Sequence, residues 1–203
     1  MKQVARRYSQ GARAEAAVAT GQRIVDAFLA RLMTQWFDEI TLDRVAADAD
    51  VTVQTVVRRF GGKEGLLSKA VETLTPQIRA QRAAPEGDLD QLVDNLIGDY
   101  ERTGDAVIRL LALEPRHPSL KPMLDFGRSE HNQWVSDAFA KTLNKLEGAG
   151  RTRALDSLVI ITDVYTWKLL RRDVGRSVPA TALTIRNLID GTIAEFTKQK
   201  TKL

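Results

Sequence analysis

Cysteine is absent from this chain of 203 residues, and histidine occurs only twice. The absence of cysteine excludes disulfides, iron–sulfur clusters and thiolate zinc sites, and it fits a reducing cytoplasm, where we expect the protein to act. No apolar run approaches the ~20 residues that a membrane helix requires. No glycine-rich phosphate loop is present, and the one Glu-x-x-His pattern, Glu114 to His117, is interrupted by Pro115. We therefore predict no metal, no cofactor, no membrane partner and no enzymatic activity.

Acidic residues are missing from the first fourteen positions, which makes this segment the source of the net charge of +4. Lys2, Arg6, Arg7 and Arg13 precede the first acid, Glu15, and the rest of the chain is balanced. A basic arm gains affinity for polyanions by releasing counterions, and such arms often enter a DNA minor groove. We predict DNA contacts for Arg6 and Arg7; a solvated terminus without a partner is the alternative.

Helical periodicity runs through most of the chain. Ile24, Phe28, Leu32 and Trp36 recur at steps of four and indicate one buried helix face. A looser polar segment with Pro76, Pro85 and Gly87 follows, and it predicts a boundary between domains spanning residues 1–75 and 76–203. Further helices are predicted over 88–103, 105–114, 122–146, 152–173 and 179–198, starting at Asp88 and Pro179 and ending near Gly148, Gly150 and Gly175. The predicted fold class is all-α.

Residues 51–60, VTVQTVVRRF, fit a strand and a helix equally well by spacing. Because a lone strand has no pairing partner in an otherwise helical chain, the context favours a helix. Thr52 suits its N-cap, and Thr41 suits the N-cap of a preceding short helix, LDRVAAD. Two short helices joined at residues 49–51 predict a helix-turn-helix, whose second helix enters the major groove of DNA.

The polar side chains around this second helix are candidate DNA contacts. Gln54 can pair with adenine, Arg58 with guanine or phosphate, and the threonine hydroxyls and methyls with base edges. Arg59 and Lys63 suit phosphates. The full set of predicted contacts in this unit is Thr41, Arg44, Thr52, Gln54, Thr55, Arg58, Arg59 and Lys63.

Residues 23–71 resemble the DNA-binding domain of TetR-type transcriptional regulators. The resemblance is carried by the long first helix, Phe37, Thr41 before LDRVA, VTVQTVVRRF and GKEGLL. It implies a three-helix DNA-binding domain followed by a helical ligand-binding and dimerisation domain. It further implies a repressor that binds a palindromic operator as a homodimer and is released by a small-molecule effector. The chain departs from the family at Trp36 and Asp50, where glycine is usual, and at Val57, where a phosphate-contacting tyrosine is usual.

The second domain contains two helical segments that can bury apolar faces. In residues 154–173 the apolar residues line more than one face, and in 180–196 they form a narrower stripe through Ile185, Leu188, Ile189, Ile193 and Phe196. Half of a four-helix bundle shared with a second copy is one interpretation, and a purely intramolecular core is the other.

Between the helices of the second domain, aromatic and adaptable side chains could line an effector pocket, with Asp163 as its polar anchor. The candidates are Met123, Phe126, His131, Trp134, Asp163, Tyr165 and Trp167. For most of them the ordinary core is the favoured alternative, and Asp163 fits a position facing solvent or capping a dimer seam equally well. The rival to a regulator is a helical interaction protein that uses the helix-turn-helix only for packing.

Overall fold

The computed structural model describes the backbone of residues 2–200 and the side chains of residues 14–198. Every regular element in that range is helical, which confirms the predicted all-α class with an N-terminal helix-turn-helix. The chain divides into two compact units, one ending at Leu74 and the other beginning at Thr75. None of the described helices is long and apolar enough to cross a membrane.

The first unit packs two long helices and two short ones around a small apolar core. Its elements are α1 (Lys2–Leu32), a 3-10 turn (Phe37–Glu39), α2 (Leu42–Asp48), α3 (Val53–Phe60) and the first part of α4 (Lys63–Arg82). Phe28 of α1 packs edge-on against Phe37, with ring centroids 6.5 Å apart. Val45 and Val56 are fully buried, so α2 and α3 each turn one side towards this core.

The second unit comprises the end of α4 and six further helices among the described residues. They are α5 (Leu89–Leu113), α6 (Lys121–Ala138), α7 (Ala140–Leu143), α8 (Gly148–Thr162), α9 (Val164–Lys168) and α10 (Val178–Lys200), with a 3-10 turn at Pro118–Leu120 and a π-helical turn at Leu169–Asp173. Asp88 caps α5, as predicted, by accepting a hydrogen bond from the Gln91 amide at 3.0 Å.

Two predicted helix breaks before residue 115 are wrong. The helix α4 continues through Pro76 to Arg82, because Arg79 and Arg82 anchor its last turn on Glu130 and Asp99. The predicted break near residue 104 is absent, and α5 is continuous. Gly104 serves close packing there: a Cβ atom at this position would lie 2.5 Å from the Trp167 ring.

Three predictions after residue 120 also need correction. The predicted helix 122–146 bends at Phe139, and the bend allows Phe139 and Leu143 both to be buried. Gly148 begins α8 instead of ending a helix, and Gly150 lies within it. The predicted helix 152–173 is interrupted at Asp163, whose carboxylate accepts a hydrogen bond from the Tyr165 amide at 2.8 Å and starts α9.

The two apolar stripes predicted for a dimer bundle, in residues 154–173 and 180–196, are largely buried in the core of the second unit itself. Leu158, Ile185 and Ile189 are buried in its core, against which Ile193 and Phe196 pack. This arrangement matches the intramolecular alternative for those residues. Other apolar side chains of α8 and α10 remain exposed, above all Ile160, Leu183 and Leu188.

Candidate nucleic-acid interface and interior polar cluster

Threonine hydroxyls start both helices of the helix-turn-helix. Thr41 accepts a hydrogen bond from the Arg44 amide at 3.4 Å, and Thr52 accepts one from the Thr55 amide at 3.2 Å. The hydroxyls of Thr52 and Thr55 also bond to each other at 3.0 Å. These hydroxyls therefore satisfy backbone donors at the helix starts and one another.

The turn between α2 and α3 is held by its backbone and by α1. Asp50 has a φ of 51°, in the left-handed region that Asp tolerates better than most residues. Arg31 of α1 pairs with Asp48 at 2.6 Å, and Arg23 donates to the Ala49 carbonyl at 3.4 Å. The position of α3 is thus fixed by caps, a turn and two arginines of α1.

Gln54 and Arg58 lie on the exposed side of α3. Val56, on the opposite side, is fully buried. Among the side chains of residues 14–198, none forms a hydrogen bond or ion pair with Gln54 or Arg58. Their polar groups are therefore available to a partner. Arg44 is exposed on α2, and its side chain has no such bond within the same range.

Lys63 and Arg59, predicted to contact phosphate, have partners inside the first unit. The Lys63 ammonium donates to the carbonyls of Phe37 at 2.8 Å and Ile40 at 3.1 Å, and it lies 4.5 Å from the Phe37 ring centroid. Arg59 donates to the Ala17 carbonyl of α1 at 2.5 Å. Both side chains therefore help to hold this unit together, and their contact with phosphate stays a prediction. The predicted contacts Arg6 and Arg7 fall outside the residues whose side chains are described.

A small residue in α1 accompanies the Arg59 contact and was not singled out in the sequence. A Cβ atom on Gly21 would lie 3.2 Å from the Arg59 guanidinium, so glycine lets that group lie flat on α1. Gly21 and Ala17 are one helical turn apart, and this spacing was the only feature of the sequence that could have pointed to the Arg59 contact. Side-chain length and direction decided the contact, and neither is visible in a local pattern.

The predicted effector-pocket residues lie in different surroundings within the second unit. Trp167 is fully buried and donates its indole N–H to Glu101 at 2.8 Å, so it belongs to the core. Asp163 caps α9, and Tyr165 and Phe126 are exposed. Met123 is half-buried on α6.

His131 and Trp134 do come together, with ring centroids 5.7 Å apart in a stacked arrangement. His131 is part of a buried polar cluster that the sequence did not predict, formed by Arg82, Asp99, Tyr100, His131 and Thr162, and Trp134 borders it. Arg82 donates from Nε to Asp99 Oδ2 at 2.7 Å, its Nη2 lies 2.7 Å from the same oxygen, and Asp99 is 0% exposed. The other oxygen of Asp99 has no hydrogen-bond partner among the described residues and lies 3.6 Å from Arg102 Nη2.

The protonation state of His131 follows from its neighbours. Thr162 donates its hydroxyl to the Leu158 carbonyl at 2.7 Å, so it accepts from His131 Nε2 at 3.2 Å. His131 Nδ1 then carries the lone pair that faces Arg82 at 3.4 Å. Burial and the Arg82 charge lower the pKa of His131 to about 4, which keeps the ring neutral near pH 7.

Tyr100 closes the cluster on the α8 side. Its hydroxyl donates to the Thr162 carbonyl at 3.0 Å, and burial raises its pKa, so it stays a donor. Arg82 lies 4.9 Å from the Tyr100 ring centroid and 5.5 Å from that of Trp134. The cluster therefore joins the end of α4 to α5, α6 and α8. No group of three or more His, Cys, Asp or Glu suited to a metal ion occurs among the described residues.

No family model matches the sequence, and no curated protein matches it. Solved structures do. One is a candidate transcriptional regulator from Pseudomonas aeruginosa PAO1, 16% identical, with a TM-score of 0.65 over 86% of this chain and 90% of that chain. Another is Salmonella enterica GusR, 18% identical, with a TM-score of 0.66 over 86% of this chain and 95% of that chain. At these identities the likeness shows the fold, which this chain shares with both proteins.

Proposed function

We propose that the protein is a sequence-specific DNA-binding transcriptional regulator, not an enzyme, and that α3 reads double-stranded DNA. The observation that carries this proposal is the exposed side of α3, where Gln54 and Arg58 have no partner among the described side chains while the rest of the helix-turn-helix is held in place. Gln pairs bidentately with adenine, and Arg with guanine. One solved structure with the same fold is a candidate transcriptional regulator, which supports the proposal.

The test is selection of bound duplexes from a random DNA pool at near-physiological salt, followed by sequencing. We expect an enriched inverted repeat. On that sequence Gln54→Ala and Arg58→Ala should each lose about 1–3 kcal/mol of binding free energy and relax the preference at one base position. Gln77→Ala and Arg116→Ala make the same changes at exposed positions of the second unit and should leave binding unchanged.

Two results would point instead to the helical interaction protein. One is a pool in which nothing is enriched, with or without added metabolite extract. The other is an enriched sequence to which the Gln54 and Arg58 variants bind as tightly as the wild type. A helix-turn-helix used only for packing predicts both.

We further propose that the protein acts as a homodimer through the exposed apolar side chains of α8 and α10. Ile160 is 66% exposed and Leu188 is 47% exposed, and neither is needed in the core of its own chain. A two-fold dimer explains an inverted repeat, because paired recognition helices about 34–36 Å apart meet successive major grooves. Sedimentation should show a dimer that Ile160→Glu or Leu188→Glu converts to monomer. Phe126→Glu changes an exposed apolar residue of α6 and should leave the dimer intact; a monomeric wild type contradicts this step.

We propose, on the resemblance to TetR-type regulators, that the protein represses and that a small-molecule effector releases it. The effector would bind in the second unit next to His131 and Trp134, where the polar cluster holds the end of α4. Because α4 begins at Lys63 in the first unit, a change in how Arg82 is held acts on the helix that follows α3. A ligand that prefers one arrangement of α4 shifts the population towards it.

The effector step is tested by screening compounds for an increase in melting temperature and then titrating the hits against the protein–operator complex. A stabilising compound should weaken operator binding, and His131→Ala should remove both effects. A compound that binds the second unit and leaves operator affinity unchanged contradicts the proposed release.

A further inference from the structure

The surface of α3 that remains free for base contacts is small. Thr52 and Thr55 bond to each other, and Arg59 is tied to α1. Within the part of the chain whose side chains are described, the exposed residues of α3 left without a polar side-chain contact are Gln54, Val57 and Arg58. At about 100° per residue, Gln54 lies in the middle of this arc, with Arg58 about 40° to one side and Val57 about 60° to the other.

Val57 is an apolar member of a polar surface. It is 44% exposed, whereas its neighbour Val56 is fully buried. A β-branched residue has a lower helix propensity than most polar ones, so an exposed valine adds nothing to the stability of α3. Val57 is one helical turn from Gln54 and adjacent to Arg58 in the sequence. We therefore expect neighbouring base edges in the major groove to meet all three side chains.

We propose that Val57 determines specificity by packing against the 5-methyl group of a thymine in the major groove. This inference rests on the proposed function. The methyl of thymine is the one apolar group that the four standard bases present in that groove. An A·T pair offers adenine N6 and N7 to Gln54 and places the thymine methyl on the same groove floor. Val57 and Gln54 together therefore select A·T at one step, while Arg58 selects guanine beside it.

The expected size of the effect follows from the area of one methyl group. Burying a methyl-sized group contributes about 0.8 kcal/mol, which is about fourfold in affinity for one half-site. In a symmetric operator bound by two copies of α3 the effect squares to roughly 15-fold. Shortening Val57 to Ala withdraws both of its methyl groups and should remove most of the sensitivity.

The test uses the operator obtained by selection and replaces its thymines one at a time, in both half-sites, with deoxyuridine. Deoxyuridine lacks only the 5-methyl group and keeps the base pair. Fluorescence anisotropy should show one position where the wild type loses roughly 15-fold in affinity and Val57→Ala loses less than about threefold. Val174→Ala changes an exposed valine of the second unit and should respond as the wild type does.

The inference is overturned if no thymine position is sensitive in the wild type, or if Val57→Ala keeps the full sensitivity at the same position. Either result leaves specific DNA binding intact, because the operator has already been enriched. Failure of the proposed function would be seen one step earlier, as a pool without an enriched sequence. Circular dichroism and the melting temperature of Val57→Ala check that α3 remains folded.

Discussion

Removing the charge of Arg82 should destabilise the second unit strongly. Arg82 is 11% exposed in its side chain, donates one hydrogen bond of 2.7 Å to Asp99 and forms an ion pair with it, and Asp99 is fully buried. Arg82→Met keeps most of the length of the side chain and leaves the Asp99 carboxylate with only the half-exposed Arg102 as a counterion, at 3.6 Å. Breaking one side of a buried pair costs about 3–5 kcal/mol. That is a large part of the 5–15 kcal/mol typical of a folded domain.

A second substitution separates the charge effect from lost packing. Replacing a whole buried pair with apolar residues is often neutral, since no charge then has to be desolvated. The double variant Arg82→Met, Asp99→Leu should therefore be more stable than Arg82→Met alone, by about 2 kcal/mol or more. Arg79→Met is the matched control, because Arg79 is exposed and its pair with Glu130 should contribute less than about 1 kcal/mol.

Urea denaturation at pH 7, followed by tryptophan fluorescence, measures these differences. Trp134 and Trp167 both report on the second unit, and Trp134 lies beside Arg82. The reasoning is refuted if Arg82→Met loses no more stability than Arg79→Met. It is also refuted if the double variant is no more stable than Arg82→Met, since removing Asp99 then relieves no unpaired buried charge.

Three further outcomes are expected. The pKa of His131 is about 4 in the folded chain against an ordinary 6.5, so the unfolded chain binds the proton first as the pH falls. The free energy of unfolding should be constant above about pH 6.5 and should fall by roughly 3 kcal/mol towards pH 4. In urea titrations, His131→Gln should flatten this pH dependence. Gly104→Ala should cost about 1–3 kcal/mol by pressing on Trp167, whereas Gly98→Ala in the same helix, where a Cβ atom would meet only the Arg102 side chain at 3.8 Å, should not destabilise. Deleting residues 1–13 should lower the salt dependence of DNA binding by up to about four counterions; an unchanged slope would exclude the arm from the complex.

The sequence was sufficient for the fold class because helical periodicity is local and strong. The opening residues of α3 were ambiguous by spacing, and the absence of any pairing strand decided them correctly. Glycine was the least reliable signal. A break was predicted between residues 103 and 105, yet Gly104 lies inside α5 where the Trp167 ring needs the space, and Gly148 begins α8 although it was expected to end the helix before it. A glycine's role depends on what packs against it, and that partner lies 63 residues away for Gly104.

The interior cluster of the second unit could not be derived from sequence for a related reason. Arg82 and Asp99 are separated by a turn and by 17 positions, and His131 by a further helix. Each looks like an ordinary solvated residue within its own helix. Only the packing of α4, α5 and α6 brings them together. His131 and Trp134 were selected as pocket residues because they are aromatic. In the structure their rings stack on each other beside Arg82, a contact that the sequence pattern does not show.

The inward contacts of Lys63 and Arg59 bear on which cations meet phosphate. Each of these two side chains donates to a carbonyl group of the first unit. Among the side chains of residues 14–198, the exposed cations of α2 and α3 that form no hydrogen bond or ion pair are Arg44 and Arg58, and Arg58 contacts a base in the proposed complex. We therefore expect much of the nonspecific attraction to the phosphate backbone to come from the terminal arm. The acid-free terminal arm carries the whole net charge of +4, so its removal should affect the salt slope more than any single substitution in α3 does.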